Sequence, residues 1–309
     1  MHKYIFKRLL WVIPVLFGVS LIVFAIMHFS PGDPATVILG ESAKPEAIAQ
    51  LREQMGLNQP FIVQYFRYIG NAVFKLDLGR SFINNRPVIG EILIRLPNTI
   101  KLAGLSITLA AIVGIPLGVI ASRKPYSALD NTTMFVSLLG VSMPTFWQGL
   151  LLILVFSLQL RMFPSTGFET WQQMVLPVIT LASSSIGSIA RITRSSMLDV
   201  MGQDFIRTAK AKGISEFRVV YVHILRNALL PVVTVIGLQF GSLLGGAVLT
   251  ESIFSINGLG TLMVNAIRQR DLVVVQGGVL FIAFIFTLVN LCVDVLYAYI
   301  DPRIRSQYK

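Results

Sequence analysis

The chain has 309 residues, of which 54% are hydrophobic and 13% charged, with a formal net charge of +11. That balance excludes an ordinary soluble domain, where about a quarter of the residues carry charge. The apolar residues gather into runs of roughly 20, the length that crosses a bilayer at ~1.5 Å per residue, so the positive excess bears on membrane orientation rather than nucleic-acid binding.

In chain order, Lys3, Lys7 and Arg8 precede an uncharged run, and the first span is placed at 9–29. A secretory signal starts alike, but its apolar core is about 7–15 residues long and ends at a small-residue cleavage site. Here a turn, Ser30-Pro31-Gly32-Asp33-Pro34, follows instead, which predicts a retained helix. The mixed segment 31–101 is predicted to hold helices at Pro45–Met55 and Pro60–Phe74, each with proline near its first turn. Ile62, Phe66, Ile69 and Val73 recur at helical spacing on the second. Their face either packs on the protein or the bilayer surface, or docks an extracytoplasmic partner. The second span is 102–121, started by Pro97-Asn98-Thr99; the third is 132–160, where Gly140 and Pro144 predict a kink. A Ser-rich fourth span at 175–190 leads into a basic segment, 191–227, and the fifth span is 228–250. A polar loop, Glu251–Asp271, precedes the sixth span at 273–299. No linker divides the spans, which predicts one membrane domain over 1–309.

Six spans put both termini on one side. In the short segments, that side holds fifteen cations and the other three, so the positive-inside rule places the termini and the 191–227 segment in the cytoplasm. The fold class is an all-α membrane protein of six transmembrane helices with cytoplasmic N- and C-termini.

Several chemistries are missing from the chain. There is no G-x-x-x-x-G-K-[ST] phosphate loop, so ATP is not expected to bind here. His2, His28 and His223 are too scattered for a catalytic pair or metal site, and the single cysteine, Cys292, lies in an apolar run. Asp294 is the acid placed inside a span; it serves a structural hydrogen bond or ion pair, or handles substrate or protons. Gly237, Gly241 and Gly245 recur every fourth residue on the fifth span, and Gly114 and Gly118 share that spacing on the second. Such stripes let helix backbones approach closely, either within the chain or along a seam against a second subunit lining the pathway.

The densest basic stretch runs from Asp204 to Pro231. Small residues (Thr208, Ala209, Ala211) sit among Arg207, Lys210 and Lys212, and Gly213 breaks the helix. A second amphipathic helix is predicted to follow as far as Arg226. Arg207-Thr208-Ala209, with Gly213 four residues on, resembles the E-A-A-x-x-x-G coupling motif of ATP-binding cassette importer permeases. The run RTAKAKG and the later HILRNALLPVVT are similar to the dipeptide/oligopeptide permease family. The resemblance spans nearly the whole chain, through Leu78–Phe82, Ile189–Met197, Asn257–Gly260 and Val293–Arg305. Arg207 replaces the general motif's glutamate and Arg226 its later proline, both variations that the family shares.

The resemblance implies a type I permease fold in a bacterial inner membrane, and transport rather than catalysis. It implies a second homologous permease, usually non-identical, two ATPase subunits holding ATP and magnesium, and an extracytoplasmic binding protein that delivers di- or oligopeptides. Residues Arg207 to Gly213 would form the grip for the ATPases; no cofactor or metal is expected on this chain, and no substrate pocket can be assigned. Relatives of similar sequence carry glutathione, nickel complexes or other small solutes. A stand-alone secondary carrier or channel is the reading from another class.

Overall fold

The computed structural model describes residues 2–29, 32–40 and 42–300, and within these all side chains except those of 2–9, 246, 294 and 296–300. Hydrocarbon offers no partner to a free N–H or C=O, so each apolar run closes its backbone bonds internally as a helix. The first is α1 (His2–Phe29), followed by the short helices α2 (Pro34–Leu39), α3 (Pro45–Met55) and α4 (Phe61–Phe74). Then come α5 (Val88–Arg123), the pair α6 (Ala128–Ser142) and α7 (Thr145–Leu152), and α8 (Trp171–Met201). Past α9 (Asp204–Ala211) and α10 (Glu216–Arg218), the chain finishes with α11 (Leu225–Ile253), α12 (Leu259–Arg268) and α13 (Leu272–Ile300). Five helical segments are long and apolar enough to cross a membrane, and the α6–α7 pair makes a sixth if counted as one.

Glycine contacts give the direction of each crossing. Gly114 of α5 lies against Ile186 and Ile189 of α8, and Gly118 against Ala190 and Thr193, so the two helices run parallel. The bent pair between them must therefore carry the chain back across. On α11, Gly237 meets Val293 and Gly241 meets Phe286, which makes α13 antiparallel to it. Six crossings result, and the outer ends of α1 and α13 lie on the side where α5 and α8 terminate.

Four expectations change in detail. The kink near Pro144 is a full break, with the halves at 101° and a π-helical stretch at Ile153–Gln159 after α7. The second helix starts at Val88 and not near Pro97, because Val88 and Ile92 are wholly buried against α12 and the start of α13. That packing outweighs the backbone bond that Pro97 cannot make. The fourth helix continues past Arg191 to Met201, since Thr193, Ser196, Met197 and Val200 remain buried on its inner face. On α4 the side packed against α1 is aromatic: Tyr65 is 1% exposed, and Phe61 and Tyr65 meet Phe24 edge-on at 5.3 and 5.5 Å. Of the face expected from spacing, Ile62, Phe66 and Val73 stay exposed and Ile69 is half-buried.

Candidate coupling surface

α9 is short and amphipathic, with Ile206 and Ala209 buried and Arg207, Thr208, Lys210 and Ala211 exposed, as Lys212 and Gly213 are beyond it. Its end is a Schellman turn. The N–H of Gly213 donates to the carbonyl of Lys210 at 3.0 Å, and the N–H of Ile214 to that of Ala209 at 3.3 Å. Gly213 holds φ +73°, a conformation that costs a residue with a Cβ about 1–2 kcal/mol, while no atom lies within 4 Å of where a Cβ would stand. Ile214 then packs back beside Ala209, completing the apolar contact that accompanies this turn.

The inner face of α9 belongs to a cluster that gathers the ends of three long helices. Val119 of α5, Met197 and Val200 of α8, and Ala228 of α11 close around Ile206, Ala209, Val219, Val220 and Ile224. Ala209 is thus committed to the chain's own core, and six of the seven residues of Arg207–Gly213 remain at the surface. The separate second helix expected up to Arg226 does not form. α10 is one turn, a π-helical stretch follows at Val219–Ile224, and the backbone continues without a break into α11. No glycine or proline stands between Glu216 and Pro231 to stop it. α9 is thus joined to α11 through the Gly213 turn and α10, and packs in one cluster with the ends of α5 and α8.

Two ion pairs brace this end. Arg194 of α8 reaches the buried Asp130 at the start of α6 with both Nε (2.5 Å) and Nη2 (2.6 Å), and the Tyr126 N–H donates to the same carboxylate at 2.8 Å. Arg123 approaches Glu216 at 3.6 Å in the open and adds little. Replacing Arg194 with alanine is expected to cost about 3–5 kcal/mol, because Asp130 keeps its charge and loses its partner. Thermal melting of the purified subunit in detergent measures it; a combined Asp130→Leu and Arg194→Met change should cost less than the single one.

At the opposite end sits a polar knot that sequence reasoning missed. Glu251, fully buried at the end of α11, accepts from the Thr99 hydroxyl (2.6 Å) and from the N–H groups of Gly260 (2.7 Å) and Thr261 (3.1 Å). Thr99 in turn accepts from the Leu259 N–H at 2.8 Å. Gly260 is held to glycine by the backbone of α11, since a Cβ there would stand 2.4 Å from the Val248 Cα, and a Cβ at Gly258 would press on the Glu251 carboxyl. Burial pushes the Glu251 carboxyl above the ordinary range, and the Thr99, Thr261 and Gly260 hydrogen bonds pull against it. Asp271 plays a similar part at the start of α13, accepting from the Ser81 hydroxyl and the Phe82 N–H. Asn257–Gly260 and Leu78–Phe82 carried the family resemblance, but nothing in them names the distant carboxylates that these segments bond.

Of the small-residue stripe, Gly237 and Gly241 pack against α13 inside the chain, while Gly245 has no atom within 4 Å of a Cβ position. The side chain of Asp294 and the residues after 300 lie outside the described residues. Among the described residues no group of three metal-ligating side chains forms.

Comparison with known proteins gives a consistent picture. The family described as binding-protein-dependent transport system inner membrane component matches residues 114–306, and its N-terminal companion matches residues 1–103. The dipeptide transport system permease protein DppB of Alkalihalophilus pseudofirmus is 44% identical, over 99% of this chain and 100% of its own length. The glutathione transport system permease protein GsiC of Escherichia coli is 45% identical, over 99% of both chains. Among solved structures, the inward-facing MetNI methionine ABC transporter matches with a TM-score of 0.58 at 16% identity, over 69% of this chain and 97% of that one. An amino acid ABC transporter matches with a TM-score of 0.52 at 17% identity, over 70% of this chain and 94% of that one. These two share the fold.

Proposed function

Since the chain belongs to the family of binding-protein-dependent transport system inner membrane components, an ABC importer permease subunit of the bacterial inner membrane, we propose that it forms the inward pathway for di- or oligopeptides together with a second, non-identical permease. The end bearing α9 faces the cytoplasm, in keeping with the excess of cations there. One observation carries the coupling role. The exposed Arg207–Gly213 platform is packed onto the ends of α5, α8 and α11, so a partner that grips it moves three spans at once. Two ATPase subunits, holding ATP and magnesium, fit that platform through acidic rims that meet Arg207, Lys210 and Lys212. Their closure favours one of two arrangements of the spans, and that differential stabilisation is what coupling requires. The chain itself catalyses no reaction, and specificity is set by the binding protein that delivers the cargo.

Glutathione is the second reading, supported by 45% identity to a glutathione permease beside 44% to the dipeptide permease. The complete transporter in liposomes, supplied with binding protein and ATP, is expected to accumulate labelled dipeptide or tripeptide in preference to glutathione. Accumulation of glutathione alone overturns the peptide assignment, and uptake by this chain without ATPase subunits or nucleotide overturns the importer mechanism.

A further inference from the structure

The span between α5 and α8 is broken in mid-course, its halves α6 and α7 meeting at 101° around Met143 and Pro144. Neighbours on α8 fix the depth of that break. A Cβ at Gly140, on the α6 side, would stand 3.0 Å from the Ser183 carbonyl oxygen. One at Gly149, on the α7 side, would stand 3.4 Å from the Thr180 methyl group. Ser183 is twelve residues beyond the exposed Trp171 at the outer end of α8, and eight before Arg191, the first cation toward its inner end. At ~1.5 Å per residue these separations are ~18 and ~12 Å, which together match the ~30 Å of a hydrocarbon layer. The break therefore lies in the interior of the bilayer.

Interrupting a helix at that depth leaves backbone groups open. The Met143 N–H donates to the Leu139 carbonyl, and the Trp147 and Gln148 N–H groups donate to that of Pro144. Among the described residues, the carbonyls of Val141, Ser142 and Met143 have no donor, and the N–H groups of Thr145 and Phe146 have no acceptor. Gln148 reaches the same point. Its Oε1 accepts from the Ser183 hydroxyl at 2.5 Å, while its Nε2 has only the Met143 sulfur, a weak acceptor at 3.9 Å. Ser142 and Pro144 are exposed, and Met143, Thr145 and Gln148 are half-buried. Open backbone is not tolerated against lipid, so this side of the break faces a watery passage. Interrupted helices of this kind form midplane substrate sites in transporters. Free carbonyls, free N–H groups and a side-chain amide in one place complement a group that both donates and accepts, which is what a peptide bond does.

We propose that the α6–α7 break is the mid-membrane contact for the main chain of the translocated peptide. The Gln148 amide and the Thr145 and Phe146 N–H groups donate to cargo carbonyls, and the carbonyls of Val141, Ser142 and Met143 accept from cargo N–H groups. This rests on the peptide-importer reading above and adds where the cargo is held. Contact with the main chain and not the side chains lets one passage carry peptides of differing sequence, with selection left to the binding protein. The test uses the complete transporter in proteoliposomes, supplied with binding protein, ATP and labelled trialanine. With photoreactive benzoylphenylalanine in place of Ser142, trialanine is expected to cross-link to this chain during turnover and to be displaced by unlabelled trialanine. Gln148→Leu is expected to lower uptake about fivefold, the net effect of one hydrogen bond. Gln148→Glu keeps the oxygen that Ser183 reaches but loses both N–H donors, so it should lower uptake as well, whereas a Gln148 that only braces α8 would tolerate the change. Full uptake by Gln148→Glu, or cross-links from position 142 to lipid or to the second permease alone, overturns the site. A parent transporter that takes up no trialanine overturns the peptide reading, and the site with it, which separates that failure from failure of the site alone.

Discussion

Replacing Gly213 with valine is expected to abolish uptake while the subunit stays inserted and its ATPase partners continue to turn over. The Schellman turn requires φ +73° at this position, where a β-branched residue is strained by at least the ~1–2 kcal/mol of the left-handed region. No neighbour lies within 4 Å of the new Cβ, so the change acts through the backbone alone. The turn relaxes, α9 leaves its angle to the π-helical stretch, and the grip no longer transmits to α5, α8 and α11. The bodies of those helices are untouched, which is why insertion should survive. Asparagine tolerates the left-handed conformation and should retain most of the activity. Peptide uptake and ATP hydrolysis measured together in proteoliposomes decide the matter; an unchanged ratio of peptide to ATP in the valine variant would remove Gly213 from the coupling path.

The second large effect is at Glu251. Alanine there leaves the Thr99 hydroxyl and the N–H groups of Gly260 and Thr261 without an acceptor in a buried site. Each orphaned donor costs about 1–3 kcal/mol, so the sum is a large share of a domain's whole stability. α12 also loses the anion at its N-terminus. The variant is expected to accumulate poorly and to melt far below the parent. Glu251→Gln keeps one acceptor oxygen at nearly the same volume and should fall between the two. Thermal melting in detergent together with membrane abundance reads both, and an alanine variant that melts with the parent would show the knot to be dispensable.

Much of this was legible in the sequence for a simple reason. Apolar runs of bilayer length have one backbone solution, and the cations flanking them record orientation, so the class and the path of six crossings follow from local pattern. The helix end at Gly213 was legible too, because a glycine stop acts within one turn of helix. The helix boundaries were not. Pro97 looked like a start and Arg191 like an end, yet Val88 and Met197 are buried against helices far away in the chain, and packing overrode both signals.

The remaining features depend on residues that meet only after folding. Spacing put an apolar stripe on α4, but contact with α1 goes through Phe61 and Tyr65, leaving Ile62, Phe66 and Val73 exposed. Glu251 is separated by 152 residues from Thr99, and Asp130 by 64 from Arg194. Local pattern alone thus determined a six-span membrane protein with a basic, glycine-broken segment. Tertiary structure decided which carboxylates close the polar knots, which face of α4 packs against α1 and that α9 is joined to three spans. A buried polar group selects its partner by proximity in the folded chain, and one sequence carries no record of such distances.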